Sequence, residues 1–572
     1  MTRTRWVLLF ALVLFGWNVW GYDLWAPNEP FFAEGAREMI VDGQWIVPHL
    51  NGEVNTHKPP LFFWSIAIFS LPFGAVTSLT ARLPSVLAAI GTVLLIVRFE
   101  RRFSGNRTAV LAAAMLTVNY FFWDKARSAQ IDSLLCLLIL IAVSAFAAYR
   151  GGEWNGRSAG LVFWSAAALA VLAKGPVGLL VPLGIVLLTL AWDRQLRSWW
   201  GFAPVAGPLA FAAILGLWIT AATLWLDGYS VWGALREHFV DRAIHGMHHA
   251  QPVWYYLRVL PYALLPWTFL LPGGLWLAWR ERDRPDNRLL LIWVVFVVLF
   301  FTVSTEKRDV YILPAMPAFA MIFARLVAAV LGWRSEGSRR RPGQRWVTVP
   351  QGVVGTVYLL AAVVALWMAN RLDDDLLAPA AAIAAVLAIG GARLLVSAIR
   401  GAVWPAVAWT GATIAAALLT GSTWILPVLN PAKSGRELAV TVREATAEFR
   451  ATGRRVVGFD LVNVTWPVNL YSDGVYLDLI DAREEPIEAG EELLRRLAVD
   501  DPVYVLANLE TQPSLLDHLQ GRMSVAYSTR LSRKDLQLLY FEPSHGLKRV
   551  GSGLPATRVR PGRDENTDPS SP

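Results

Sequence analysis

Cysteine is almost absent: Cys136 is the only one in 572 residues, and it lies inside an apolar run. No disulfide can form within the chain and no cysteine-built metal site exists, which leaves no basis for thiol redox chemistry. Charge is scarce as well. Only 17% of residues are charged, against 55% in the hydrophobic set, and the charges fall as short punctuation between long apolar runs, the pattern of a polytopic membrane protein. The middles of those runs are nearly free of charge, whereas a transporter or flippase of an anionic lipid would carry ionisable residues along a path through the membrane. Transport is kept as the alternative reading. The net charge of +8 invites nucleic acid, but the arginines concentrate in short loops between apolar runs, where topology explains them, and nucleic acid is rejected as a partner. No solenoid repeat occurs. The opening MTRTRWVLLFALVLFGWNVW has no small-residue cleavage site after it and is read as a retained first helix.

Aromatic residues are plentiful, with 27 Trp, 26 Phe and 14 Tyr, and many stand at the ends of runs, as interfacial belts do. A crossing helix needs roughly 20 apolar residues. Runs that meet this begin near Trp6, Leu79, Thr108, Asp132, Ser158, Gly175, Ala203, Tyr256, Leu289, Val310, Gly352, Asp375 and Val403. A further run, Leu61 to Phe73, is short and interrupted by Pro72. If it stays at the surface, all seven basic stretches, among them RFERRFSGNR and WRERDRPDNR, lie on the cytoplasmic side. About thirteen transmembrane helices are therefore expected. On that count residues 22–73, the Trp123 to Ile131 loop, the Lys174 turn, Asp227 to Val253, Ser304 to Asp309 and everything after Leu429 lie on the outer face.

From about Asn430 the composition changes. RRVVGF, VYLDLI, PVYVLA and DLQLLYFE have strand character and alternate with helical patterns such as EELLRRLA. The expected organisation is a membrane domain over 1–429, with interfacial helices in 22–73, a soluble α/β domain on the outer side over 430–549, and a disordered tail over 550–572.

The unusual polar residues gather in a few stretches. In PNEPFFAEGAREM, Pro30 suits the first turn of a helix whose apolar face opposes Glu34, Arg37 and Glu38, giving an amphipathic helix lying in the outer interface. A solvated surface and a functional role stay open for Glu34 and Glu38. Glu29, held between Pro27 and Pro30, is read as functional. In NTHKPPLFFW two prolines hold Lys58 at headgroup depth, where an anionic phosphate would sit, although snorkelling explains lone interfacial lysines too. Asp132 stands at the mouth of an apolar helix, as a cap or as a working carboxylate beside Asp124, Lys125 and Arg127. LREHFVDRAIHGMHH puts His238, Arg242 and His245 on one helical face, without a firm metal-ligand signature. Lys307 and Arg308 are adjacent cations at a span end, suited to anchoring or to a phosphate. Carboxylates and cations on one face beside a lipid interface suit transfer from a lipid phosphate: a carboxylate takes the acceptor's proton while cations stabilise the leaving phosphate. A scaffold binding envelope partners would leave this constellation without a purpose.

LWAPNEPFFAEGAREM, WIVPHLNG, HKPPLFFW, ARSAQIDSLL, LAKGPVGLLVP, EHFVDR and KRDVYILPAMPAFA occur in order over roughly the first 330 residues. The set resembles the aminoarabinose transferase and protein mannosyltransferase superfamily of GT-C glycosyltransferases. The resemblance implies a GT-C membrane enzyme of thirteen spans with an outer C-terminal domain. It also implies transfer of one sugar, with inversion, from a polyprenyl-phosphate donor to a lipid, glycan or protein acceptor at the outer face of the inner membrane, with no nucleotide cofactor. Lys58 and Arg242 would hold the donor phosphate, Tyr311 would line that site with Lys307 and Arg308 beside it, and Asp132 would be an essential carboxylate. Where the family has an Asp-Glu pair this chain has Asn28-Glu29, and where the family has Glu before Lys-Pro-Pro it has His57. Asn28 cannot act as a base, so Glu29 or Asp132 takes that role or the chain is impaired. His57 and His238 would be the ligands of a divalent metal, zinc or magnesium.

Overall fold

The computed structural model describes residues 2–55, 57–202, 205–226, 251–333, 342–372, 376–461, 464–482, 486–497, 502–508, 523–531 and 534–541. The chain divides into two compact units. The first comprises Met1–Glu448, Val462–Leu477 and Arg530–Lys534, the second Phe449–Leu461, Asp478–Thr529 and Asp535–Pro572.

The first unit is helical. Helix α1 (Thr2–Gly16) leads to α2 (Asn28–Asp42), a small hairpin of β1 (His49–Leu50) and β2 (Glu53–Val54), and α3 (Leu61–Ser70). Then come α4 (Ser78–Thr117), α5 (Tyr120–Ala126), α6 (Asp132–Arg150), α7 (Gly156–Lys174) and α8 (Val177–Trp192). The caps follow from side chains. Thr77 and Thr80 close a reciprocal capping box at the start of α4, and the Asn155 side chain accepts from the Ser158 N–H at the start of α7.

Among the described residues nine helices are long and apolar enough to cross a membrane, or ten if the pair Tyr255–Ala263 and Thr268–Arg280, bent by 111°, is one span. The expected thirteen is corrected to that number, and the physical reason is helix length. The first run makes a helix of 15 residues and the run after Gly175 one of 16, both short of the roughly 20 residues a crossing needs. The runs beginning at Leu79 and Thr108 belong to one element of 40 residues, in which Gly105 leaves helical geometry at φ 80° and ψ 170°. The parity of thirteen spans therefore no longer serves as an argument for the sidedness.

Burial ranks the spans. Asp309–Val330 is buried along all of its most apolar stretch and Asp132–Arg150 along 78% of it, while Ala206–Trp225 is buried along only 11%. The first two are central and the third faces outward, as a lipid-exposed span does. Packing between helices in lipid relies on small residues rather than on a hydrophobic driving force. At Gly178 a Cβ would stand 2.2 Å from the Ala170 backbone, so only glycine lets α7 and α8 approach this closely. Two ionic clusters tie helices further along the bundle. Arg325 bonds both Glu100 oxygens at 2.7 Å and Asp286 at 2.7 Å, all three buried, and Asp193 takes Arg150 at 2.8 Å and Arg288 at 2.6 Å.

The second unit holds most of a five-stranded sheet in the order β4 (Leu477–Ile480), β3 (Val456–Phe459), β5 (Val503–Asn508), β7 (Lys534–Phe541), β6 (Met523–Leu531). β3 runs parallel to β5, and β5 antiparallel to β7 with Val505 opposite Leu539. Ala489 and Leu493 of the helix Pro486–Leu497 pack on Val457, Phe459, Val505 and Leu539.

Candidate active site

The two central spans begin at the polar residues singled out in the sequence. Asp132 is the first residue of α6, directly after the cap residue Ile131, and is paired with the Lys174 ammonium. Lys174 ends α7, where Gly175, at φ 80°, turns the chain. The same ammonium lies 4.8 Å from the centre of the Tyr311 ring, which packs 5.1 Å from Phe301. Asp132, Lys174 and Tyr311 thus form one chain of contacts across three helix ends. Beside it, Lys125 pairs with Asp124 at 2.8 Å. Burial lowers the affinity of the Lys125 amine for its proton, but Asp124, Asp309 and Asp132 outweigh it and leave the pKa raised.

Asn28, at the start of α2, accepts from the exposed Arg308 guanidinium at 3.4 Å. Glu29 is buried, and its carboxylate accepts four N–H groups: Arg82 Nε and Nη2, both at 2.8 Å, and the backbone N–H groups of Trp25 at 2.8 Å and Ala129 at 2.9 Å. Lys307 is buried and donates to the carbonyls of Gln251 at 2.9 Å and Ser304 at 2.6 Å, shaping its own loop. Lys58 is half-buried and His57 exposed, just after the β1–β2 hairpin and before α3. Arg242 and His238 lie outside the described residues. Among the described residues no three His, Cys, Asp or Glu side chains converge in a way that would hold a metal ion.

The acidic helix differs from the amphipathic surface helix expected. Glu34 and Glu38 are buried, not solvated. Glu34 pairs with Arg37 at 2.8 Å, and Arg37 reaches the Tyr476 hydroxyl at 3.4 Å. Glu38 accepts from the N–H groups of Asn51 at 2.7 Å and Gly52 at 3.2 Å, and its side chain bonds that of Glu34. Burial, then the neighbouring Glu34, pushes the Glu38 carboxyl up to about 8; burial raises Glu34 too. Asn51 in turn donates to Leu477 O at 2.7 Å and accepts from Leu477 N at 2.8 Å. The helix is a buried strut that fixes the hairpin leading to Lys58.

A family profile described as "Dolichyl-phosphate-mannose-protein mannosyltransferase" matches residues 57–227. The undecaprenyl phosphate-alpha-4-amino-4-deoxy-L-arabinose arabinosyl transferase of Aeromonas salmonicida is 32% identical over 346 residues, 59% of this chain and 62% of that protein. The protein of the same name from Erwinia tasmaniensis is 29% identical over 367 residues, 63% of this chain and 66% of that protein. Each match takes in less than two thirds of the relative's own length. Among solved structures, ArnT from Cupriavidus metallidurans bound to undecaprenyl phosphate superposes with a TM-score of 0.73 at 19% identity, over 94% of this chain and 98% of that one. The chain shares the fold of that ArnT.

Two charged residues that the sequence did not single out as site members prove to be bonded to ones that it did. Lys174 read as a turn and Arg82 as part of an apolar run. The signal available for Lys174 was its place in LAKGP, a cation directly before a helix-breaking glycine and proline at a span end. Arg82 had a weaker one, an arginine only a few residues inside a run otherwise free of charge.

Proposed function

We propose that this chain is an integral-membrane glycosyltransferase that moves a single sugar, with inversion, from a polyprenyl-phosphate donor to a lipid, glycan or protein acceptor. The reaction takes place at the outer face of the inner membrane. The observation that carries the reading is the contact chain Asp132, Lys174 and Tyr311 at the mouths of the two most buried helices, in a fold shared with a protein crystallised with undecaprenyl phosphate. Asp132 is the base in this proposal, because the Glu29 oxygens already accept four N–H groups. The acceptor oxygen attacks the anomeric carbon and its proton passes to the Asp132 carboxylate. The bond from that carbon to the phosphate oxygen breaks, and polyprenyl phosphate leaves with the electron pair. Lys58, Arg242 and Arg308 meet the charge that develops on the leaving phosphate, and Lys174 holds the Asp132 carboxylate in place.

The test is sugar transfer from synthetic polyprenyl-phosphate sugars in liposomes, with envelope lipids and glycans as acceptors. Lys58→Ala and Arg308→Ala are expected to raise the donor KM and Asp132→Asn to lower kcat. Unchanged turnover in all three variants overturns the proposal.

A further inference from the structure

We propose that Arg82 is a positioning residue for this chemistry, acting through Glu29 to hold Asn28 and Asp132 in fixed relation; the proposal rests on the glycosyltransferase reading above. Arg82 lies in the second turn of α4 and is fully buried. Its guanidinium is committed on every side: two hydrogen bonds to Glu29, one from Nη2 to Asp23 O at 2.6 Å, and two from Nη1 to Val19 O at 2.7 Å and Tyr22 O at 3.0 Å. Its face lies 3.8 Å from the Tyr22 ring centre.

The carboxylate it holds is the junction of two site segments. Glu29 directly follows Asn28, and its remaining acceptor capacity takes the N–H of Ala129, three residues before Asp132. One turn along α4 from Arg82, the Ser85 hydroxyl donates to Gln130 O at 2.9 Å and fastens the same segment a second time. A single side chain therefore sets the level of the Asn28 end of α2 against the Asp132 end of α6. Neither Arg82 nor Glu29 has an acceptor or donor position left for substrate. A misplacement of about 1 Å between reacting groups costs roughly 100-fold in rate, which gives such a clamp a kinetic role beyond holding the fold together.

The experiment compares Arg82→Lys, Arg82→Met, Glu29→Gln and the double variant Glu29→Leu/Arg82→Met in liposomes, with the amount of monodisperse protein as the folding control. Arg82→Met and Glu29→Gln are expected to lower kcat by roughly 100-fold each, with donor KM within about threefold of wild type and the acid limb of the pH–rate profile retained. Arg82→Lys is expected to recover part of the loss. The double variant, which leaves no buried charge unpaired, is expected to exceed the worse single variant by at least about tenfold. Hydrogen exchange gives a readout independent of activity: Arg82→Met is expected to speed exchange at the Trp25 and Ala129 amides. Two results overturn the proposal. One is wild-type kcat per folded molecule in the Arg82 variants, whatever their melting temperature. The other is inactivity of Glu29→Gln alone with loss of the acid limb, which would make Glu29 the base. If wild-type protein transfers no sugar from any donor, the glycosyltransferase reading fails instead, and the exchange rates at Trp25 and Ala129 still decide whether Arg82 is the clamp.

Discussion

At the scale of single residues, the proposed chemistry depends on how the two candidate carboxylates are bonded. Among the described residues Asp132 pairs with Lys174, whereas Glu29 accepts from Arg82 and two backbone amides. Asp132→Asn is therefore expected to lower kcat by about 10²–10⁴-fold, the range of a general base, with donor KM little changed, as steady-state transfer assays will report. Lys174→Met is expected to lower kcat as well. It also removes one partner of a buried pair, which costs about 3–5 kcal/mol, measurable as a fall in the thermal midpoint in detergent. The sequence made Asp132 legible because a carboxylate at the mouth of an apolar helix needs a reason. It did not make Lys174 legible as its partner, since the two are 42 positions apart and only the packing of α6 against α7 brings them together. Arg82 and Glu29, 53 positions apart, were hidden for the same reason. Glu29 was marked as functional from its prolines, but what it bonds was not readable.

Elements show the same division between what local pattern encodes and what packing decides. The segments with strand character, RRVVGF, VYLDLI, PVYVLA and DLQLLYFE, each contribute a strand to the sheet, because period and β-branched content are local signals. Met523–Leu531 was not anticipated: MSVAYSTRL mixes polar residues among few apolar ones, and its place beside β7 supplies the pairing. The span count failed where an apolar run is longer than its helix. Asn18, at φ 57°, lies inside the first run, and Arg194, at φ 55°, ends the run after Gly175. The acidic helix α2 failed differently, since amphipathic spacing cannot tell a solvated face from one buried against a hairpin. Its buried carboxyls give a pH prediction. Glu38 is held neutral up to about 8 by burial and by Glu34, with Arg37, Asp42 and Tyr476 as the other charged or titratable neighbours. A carboxyl raised above its unfolded value stabilises the fold fully below the unfolded pKa, and the contribution is lost as pH rises through about 8. Between pH 5 and 9 the hairpin is expected to open increasingly to proteolysis after Asp42. Glu38→Gln keeps an amide oxygen to accept from the Asn51 N–H, cannot ionise, and is expected to flatten that dependence.

For the whole molecule, the first unit is not a contiguous stretch, because Val462–Leu477 belongs to it. Tyr471 accepts from Leu24 N at 2.7 Å, the Asn51 side chain is bonded to Leu477, and Tyr476 reaches Arg37. Truncation after Leu429 is therefore expected to yield protein with a lowered thermal midpoint and a hairpin open to protease, not an intact membrane domain. At the far ends of the central spans, Arg325→Met is expected to destabilise by about 3–5 kcal/mol because it takes the Arg325 cation from buried Glu100 and leaves Asp286 with Arg284; chemical unfolding in mixed micelles is the check. The distant pairing also bears on how the protein is made. Asn51 and Leu477 lie 426 positions apart, so at about 5–20 residues per second the earliest loop to emerge waits roughly 20–90 s for its last neighbour to be synthesised. Late in that interval the nascent chain carries its apolar spans but an unfinished candidate site, and a chain stalled there would be inserted, open to protease, and silent.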